Sequence, residues 1–187
     1  MKPQLGAVAE LVNRAIGAVH EAATHAPGVV PTVVDLGCGD GELSQTLRAV
    51  FAPCYPIGVD RDPAYRLEWA RRGVLGINGD FTDLIKRGLM PRGDVYVLAE
   101  VLESIAGPGA LLTELASQPG ARFVVASSHL TTAWCHFNRD GEWRWPMPEF
   151  ARLFRLSGWS TFVEHRLVAG NEPDVTYQVV LAERDAS

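Results

Sequence analysis

The sequence predicts an α/β domain with a mostly parallel sheet, helices on both faces and an antiparallel hairpin at the end. Three observations predict it. Short apolar, strand-like runs alternate with helical segments from Thr32 to Gly158. The run Val33-Val34-Asp35-Leu36 passes straight into a glycine-dense turn, Gly37-Cys38-Gly39-Asp40-Gly41, and then into a helix start at Glu42-Leu43. The last two strand-like runs are joined only by Gly170-Asn171-Glu172-Pro173-Asp174. With no helix between them, they must pair antiparallel.

Each element follows from its own pattern. Leu5, Val8, Leu11, Val12, Ala15, Ile16 and Val19 recur at helical spacing, which gives an amphipathic helix within 1–26 ended by Ala26-Pro27-Gly28. It packs on the domain, or alternatively lids the ligand. Strand one spans Thr32 to Leu36, and its helix runs from Gly41 to Phe51. Strand two, Ile57-Gly58-Val59, ends at Asp60. Asp62 then caps a helix that has Pro63 in its first position and runs to Arg72. Strand three spans Val74 to Ile77 and closes on Asn78-Gly79-Asp80, and strand four spans Asp94 to Leu98. Pro108-Gly109 precedes a helix ending near Ser117, and strand five spans Arg122 to Ala126. An irregular stretch from Ser127 to Trp145 leads to a helix opened by Pro148-Glu149 and ended by Ser157-Gly158. The final strands span Ser160 to Arg166 and Val175 to Ala182.

A length of 187 residues suggests one domain over 1–187, and 47% hydrophobic residues suffice for a continuous core. A net charge of −5 argues against coating nucleic acid by bulk electrostatics. Cys38, Cys54 and Cys135 form no CxxC pair, so neither a disulfide framework nor a metal site is expected, and a cytoplasmic location is. Glu10, Asn13 and Arg14 interrupt any secretory pattern, and no apolar run is long enough to span a bilayer, so no membrane partner is expected. Nothing in the sequence specifies an oligomeric state.

The glycines at 37, 39 and 41 follow G-x-G-x-G, whereas a dinucleotide fingerprint has G-x-G-x-x-G, and Glu42 holds its last place. Asp40 puts negative charge beside a helix N-terminus that would otherwise attract a phosphate. The expected ligand is a nucleoside without phosphates. S-adenosylmethionine fits, because it carries a cationic sulfonium and no phosphate.

Val33 to Leu43 resembles motif I of the class I S-adenosylmethionine-dependent methyltransferases, and the likeness extends from about Val33 to Ala182. The resemblance implies a Rossmann-like, doubly wound, seven-stranded sheet with a reversed last strand, a core over 32–182, and a substrate-side loop over 127–147. It implies that Asp35 and the turn residues Gly37, Cys38, Gly39 and Gly41 face the methionine part of the cofactor. It gives Asp60 the ribose hydroxyls, a plain helix-capping acid being the alternative, and sets Arg61 beside the adenine or in solvent. Asp80 takes the adenine amino group. Phe81 flanks the ring or joins the core.

Glu100 holds the position after strand four, beside the methyl group. There it accepts a substrate proton, holds an amine, contacts the cofactor, or merely caps the next turn. Glu103 lies one helical turn on, so the two carboxylates share a face toward substrate, unless Glu103 is a solvated surface acid. In the loop, His129 and His136 are candidate bases. Trp134, Trp143 and Trp145 either wall an apolar acceptor pocket or pack the loop on the sheet.

Two pieces resemble, more narrowly, the small-RNA methyltransferases that act on 3′-terminal 2′-hydroxyls. Those carry Glu-x-x-Glu-His after strand four and a later Asp-His-x-Phe-Glu-Trp. Glu100 and Glu103 match the glutamates, but Ser104 and Gly141 stand in the histidine places, so no metal is expected. The sequence therefore favours methyl transfer to a small-molecule acceptor. RNA 2′-O-methylation is the nearer rival. A non-catalytic S-adenosylmethionine-binding partner protein is the rival from another class.

Overall fold

A computed structural model describes residues 3–22, 30–50, 53–131, 136–137, 143–159, 161–169 and 176–184. Helix α1 (Pro3–Ala22) precedes β1 (Thr32–Leu36), α2 (Glu42–Val50) and β2 (Tyr55–Asp60). A 3-10 turn (Pro63–Tyr65) then leads into α3 (Arg66–Arg72), β3 (Leu75–Asn78), α4 (Phe81–Lys86) and β4 (Val95–Ala99). A second 3-10 turn (Leu102–Ser104) is followed by α5 (Pro108–Ser117), β5 (Phe123–His129), and the short strands β6 (His136–Phe137) and β7 (Trp143–Arg144). Helix α6 (Met147–Leu156) and strands β8 (Thr161–Ala169) and β9 (Thr176–Glu183) complete the order.

Seven strands form one sheet in the order β3-β2-β1-β4-β5-β9-β8. The first five are parallel, and β9 runs antiparallel between β5 and β8. The expected hairpin is therefore present, with its second strand inserted next to the parallel set. Alternate side chains of each strand point to opposite faces. Val33, Val95, Val97, Phe123, Val125, Val179 and Leu181 meet Val8, Leu11, Val12, Ala15 and Ile16 of α1. On the other face Val34, Leu36, Tyr96, Leu98, Val124 and Val180 meet Leu111, Leu112 and Leu115 of α5, and Phe150 and Phe154 of α6. The chain leaves β1 toward β2 and β3 on one side, then crosses back to β4 on the other. That reversal opens a crevice at the carboxyl ends of the strands. Among the described residues, no helix is long and apolar enough to cross a membrane.

Some elements differ from the sequence pattern. Helix α4 was not expected; Asp80 caps it by accepting from the Thr82 amide at 2.8 Å. Strand β5 runs three residues past Ala126, because β9 continues to pair with it as far as His129↔Tyr177. Asp62 does cap its helix, accepting from Ala64 N at 2.9 Å, but the first turn is 3-10. The expected end of α1 at Ala26-Pro27-Gly28 lies outside the described residues.

Two buried features set the glycine turn. Trp69 of α3 donates its indole N–H to the Gly39 carbonyl at 2.8 Å and lies flat over Gly76 of β3. A β-carbon at 76 would fall inside that ring. Behind the turn, the Ser44 hydroxyl of α2 donates to Asp35 Oδ2 of β1 at 3.2 Å, with both side chains buried. Burial pushes the Asp35 carboxyl from its usual 3.8 to about 7, although the Ser44 hydroxyl draws it down; the Asp60 charge adds to the rise.

Gly76→Ala should cost about 1–3 kcal/mol of stability, as overpacking does, read as a lowered denaturation midpoint. An unchanged midpoint would mean that Trp69 is not held against Gly76. For Asp35 the sign follows from its raised folded pKa. Between about pH 4 and pH 7 the folded chain holds a proton that the unfolded chain has released, so this group's contribution to stability falls as pH rises through that window, then levels. Asp35→Asn should remove that slope. If thermal unfolding of the variant and wild type differed by a constant amount across the window, Asp35 would titrate as an ordinary carboxyl.

Candidate active site

The crevice is a cleft of about 950 Å³ over the ends of β1, β2, β3 and β4. Its walls include Gly37 from the turn, Asp60 and Arg61 after β2, Asp80, Phe81 and Thr82 after β3, and Glu100 and Val101 after β4. Helix α5 and the segment before it supply Ile105, Ala106, Gly107 and Ala110. Three carboxylates thus stand at successive strand ends around one cavity.

Asp60 is fixed by the backbone on both sides. Its Oδ2 accepts from Gly39 N and its Oδ1 from Asp62 N, each at 2.9 Å. Its own carbonyl accepts from Gly79 N and from the Asn78 side-chain amide, which ties the ends of β2 and β3 together. Asp80 Oδ1 takes both the Thr82 amide and the Thr82 hydroxyl, the latter at 2.5 Å. Chiefly through that hydroxyl, the Asp80 carboxyl is held below its ordinary value. Arg61 is exposed at the rim, and half-buried Phe81 both lines the cleft and packs on the core.

Glu100 adopts φ +58, the only positive φ of a non-glycine among the described residues. Its N–H donates to the Ser127 carbonyl at 3.2 Å, and its Oε1 accepts from the Gln4 amide at 3.2 Å. Helix α1 packs on the sheet, the first of the two roles its pattern offered; it contributes no wall to the cleft, but its buried first-turn Gln4 bonds to Glu100. Gly37 has φ +70, and a β-carbon there would lie 2.6 Å from Val101 Cγ2. Only glycine lets the turn close against the segment after β4.

The expectation that Glu100 and Glu103 share a face toward substrate is not met. Glu103 is 3% exposed and does not line the cleft. Its Oε1 accepts from the His129 backbone N–H at 3.0 Å and lies 3.7 Å from His129 Nδ1. The cause is the left-handed Glu100. The helical turn begins only at Leu102, so the two residues are not one turn apart on a common helix.

Of the turn residues, Gly37 alone lines the cleft. Asp35 is held in the core by Ser44, and Gly41 is buried under Val74 and Trp69. The Cys38 thiol packs on Gly58, where a β-carbon would lie 2.6 Å from Sγ. Burial, then the Asp35 and Asp60 charges, push its pKa up, so it stays a neutral thiol.

Trp143 and Trp145 are away from this cleft. Trp143 donates to the Ile105 carbonyl at 3.0 Å, and buried Trp145 stacks on Trp143 and meets the Phe150 ring at a tilt of 37°. The pair lines a smaller groove of about 350 Å³ beside Leu153 and Leu156, so it fastens the loop to α5 and α6. Trp134 and the His136 side chain lie outside the described residues; the His136 backbone pairs with Arg144. Among the described residues, no three histidine, cysteine, aspartate or glutamate side chains converge as a metal cluster. Gln4 and Trp69 went unmarked in the sequence, because a polar residue in a first turn and an aromatic residue in a helix carry no motif.

The residues present fit the expected cofactor. Carboxylates at 60 and 80 suit hydroxyl and amino donors, the carboxylate at 100 suits a cationic end, and the cleft is large enough for a nucleoside and more. A family model described as a methyltransferase domain matches residues 7–165. No curated protein matches the sequence. Among solved structures, the chain resembles the 1,6-didemethyltoxoflavin-N1-methyltransferase of Burkholderia thailandensis, which holds 1,6-didemethyltoxoflavin and S-adenosylhomocysteine (TM-score 0.68, 19% identity, 92% of this chain and 77% of that one). It also resembles the magnesium protoporphyrin IX methyltransferase of Synechocystis with bound S-adenosylhomocysteine (TM-score 0.65, 15% identity, 94% and 84%). The cyclase SpnF is as similar in shape (TM-score 0.68, 14% identity, 94% and 82%). At these identities the structural likeness carries the fold alone, and the reaction has to come from the site. With the family match spanning most of its length and the seven-stranded, mostly parallel sheet with its reversed last strand that the resemblance implied, the chain belongs to the methyltransferase domain family, the class I enzymes whose cofactor is S-adenosylmethionine.

Proposed function

We propose that this protein transfers a methyl group to a small-molecule acceptor by in-line displacement. The observation that carries this reading is the single cleft walled by Asp60, Asp80 and Glu100 at the ends of three strands. When bound, S-adenosylmethionine supplies an electrophilic methyl carbon on a sulfonium that leaves as a neutral thioether. The protein's part is to bind, to align and to exclude water. Asp60 accepts the ribose hydroxyls, and Asp80 the adenine amino group, with Arg61 and Phe81 beside the ring. Asp35, Gly37, Cys38, Gly39 and Gly41 shape the methionine end through the turn's backbone and the charge behind it. Glu100 stands at the methyl end, where it contacts the cofactor and the acceptor. Glu100, His129 and His136 are the groups offered for taking the acceptor's proton, and Trp134 is offered for the acceptor pocket.

Two neighbours named for methylating heterocyclic small molecules support a small acceptor. The RNA reading loses one of its two matched glutamates, since Glu103 is engaged with His129. The half-buried free thiols of Cys38 and Cys54 support a reducing, cytoplasmic setting.

Calorimetric titration with S-adenosylmethionine, with and without chelator, tests the core of the proposal. Micromolar binding indifferent to chelator is expected, and no binding would overturn it. Asp60→Ala should weaken that binding by about 1–3 kcal/mol, the loss for a charged hydrogen-bonding partner; unchanged affinity would take Asp60 off the ribose. Glu100→Gln should depress methyl transfer from labelled cofactor, to an acceptor found by screening, more than it depresses cofactor affinity. Wild-type turnover in that variant would remove Glu100 from the acceptor end.

A further inference from the structure

We infer that Glu103 is a positioning residue: it holds His129 as the Nδ1–H tautomer, which leaves Nε2 as the proton acceptor for the substrate. The inference rests on the methyl-transfer reading and singles out one base within it.

The geometry is specific. Glu103 comes from the 3-10 turn after β4, and His129 is the last residue of β5. Glu103 Oε1 is anchored by the His129 backbone N–H at 3.0 Å, so the carboxylate cannot drift from the imidazole that the same residue carries. Nδ1 faces that oxygen at 3.7 Å. Both Nδ1 and Glu103 Oε2 are buried, and neither has a hydrogen-bond partner among the described residues. A buried carboxylate beside an imidazole nitrogen repels a lone pair and attracts an N–H. The Nδ1–H tautomer is therefore favoured, and a small side-chain rotation would turn the contact into a charge-assisted hydrogen bond. The Tyr177 ring, 4.6 Å from the imidazole centroid and tilted 39°, limits how the ring can turn.

The imidazole is about one-third exposed, and its buried edge is the Nδ1 side. Its open edge carries Nε2. His129 is not itself among the residues that wall the cleft; it ends β5 next to Glu100, whose N–H is bonded to the Ser127 carbonyl two residues before it, so Nε2 serves an acceptor that extends past Glu100 toward the end of β5. A hydroxyl or protonated amine acceptor gives its proton to Nε2. The acceptor atom keeps the electron pair and forms the new bond to the methyl carbon, whose former bonding pair stays on sulfur. Glu103 then faces an imidazolium, so the charge formed in the step is balanced at 3.7 Å or less. The proton leaves His129 to water afterwards. Ordered this way, the pair turns a carboxylate that sequence placed against substrate into the group that orients the base.

The tautomer is observable without any acceptor. Long-range nitrogen–proton NMR of histidine-labelled protein, with His129→Asn to assign its signals, should show Nδ1 protonated and Nε2 bare in wild type. Glu103→Gln should make Nε2–H the major form, and Glu103→Asp should restore part of the wild-type pattern. An Nε2–H majority in wild type, or a pattern unmoved by Glu103→Gln, would overturn the inference. If the glutamine variant fails to fold, the wild-type spectrum alone decides. Calorimetry with S-adenosylmethionine on the same wild-type sample separates the two claims. Binding with the wrong tautomer sinks only the Glu103 role, whereas absent binding sinks the methyl-transfer reading. Where an acceptor is in hand, His129→Asn should lower kcat by roughly 10²–10⁴-fold, the range for loss of a general base, with cofactor affinity unchanged.

Discussion

The Asp60 carboxylate is the interaction on which the site depends. The turn after β1 runs through three left-handed glycines, with φ of +70, +54 and +83 at 37, 39 and 41. Such a backbone has no ladder or helix to satisfy its amides, so it must be pinned from outside. The end of β2 does this. The Val59 carbonyl takes Gly37 N at 2.7 Å and Cys38 N at 3.2 Å, and Asp60 Oδ2 takes Gly39 N at 2.9 Å. Trp69 holds the Gly39 carbonyl from the other side. A charged acceptor bonds an amide more strongly than a neutral one, and here it does so at a position where the same carboxylate opens onto the cleft. One residue thus fixes the turn and presents acceptors to a ligand.

The opposite end of the cleft is held by a different balance. A left-handed glutamate costs of order 1–3 kcal/mol, and Glu100 keeps it because its surroundings leave no alternative. Its N–H is bonded to β5, its carboxylate to Gln4 of α1, and the next residue, Val101, is wedged against Gly37. Helix α1 is pressed on the sheet by Val8, Leu11, Val12, Ala15 and Ile16, all fully buried. Packing of helix α1 therefore supports the conformation at Glu100. The same kink sends Glu103 away from the cleft and onto His129.

The sequence made the strand–turn–helix order legible, because apolar runs, glycines and an N-cap are local signals. It also made Asp60 and Asp80 legible as acids at strand ends, and both line the cleft. The direction of Glu103 was not legible. Helical spacing assumes a continuous right-handed helix, and nothing in Ala99-Glu100-Val101-Leu102-Glu103 announces a positive φ at its second residue. For Trp143 and Trp145 the sequence left pocket wall and loop packing both open; the contacts with Ile105 and Phe150 that fasten the loop are long-range and invisible in a local pattern. Helix α4 escaped notice because six residues are too few for a periodic pattern. Gly76 matters only because Trp69, from another element, lies over it.

Charge explains why this version of the turn suits its cofactor. Asp35, Asp40 and Asp60 surround a helix start that in phosphate-binding relatives of the fold is left free for an anion. Here the carboxylates oppose one another: the Asp60 charge helps to push Asp35 up, and Asp35, Asp60 and Asp40 all raise the Cys38 thiol. A phosphate would add to that repulsion. A ligand with positive charge near the turn would relieve it and favour the ionised form of Asp35, so by linkage its affinity and the Asp35 proton are coupled. Arg72, bonded to Asp40 at 2.8 Å, already neutralises the outermost of the three. What remains unbalanced is the pair behind and beside the turn, Asp35 and Asp60, so the turn favours a cationic or neutral ligand over an anionic one.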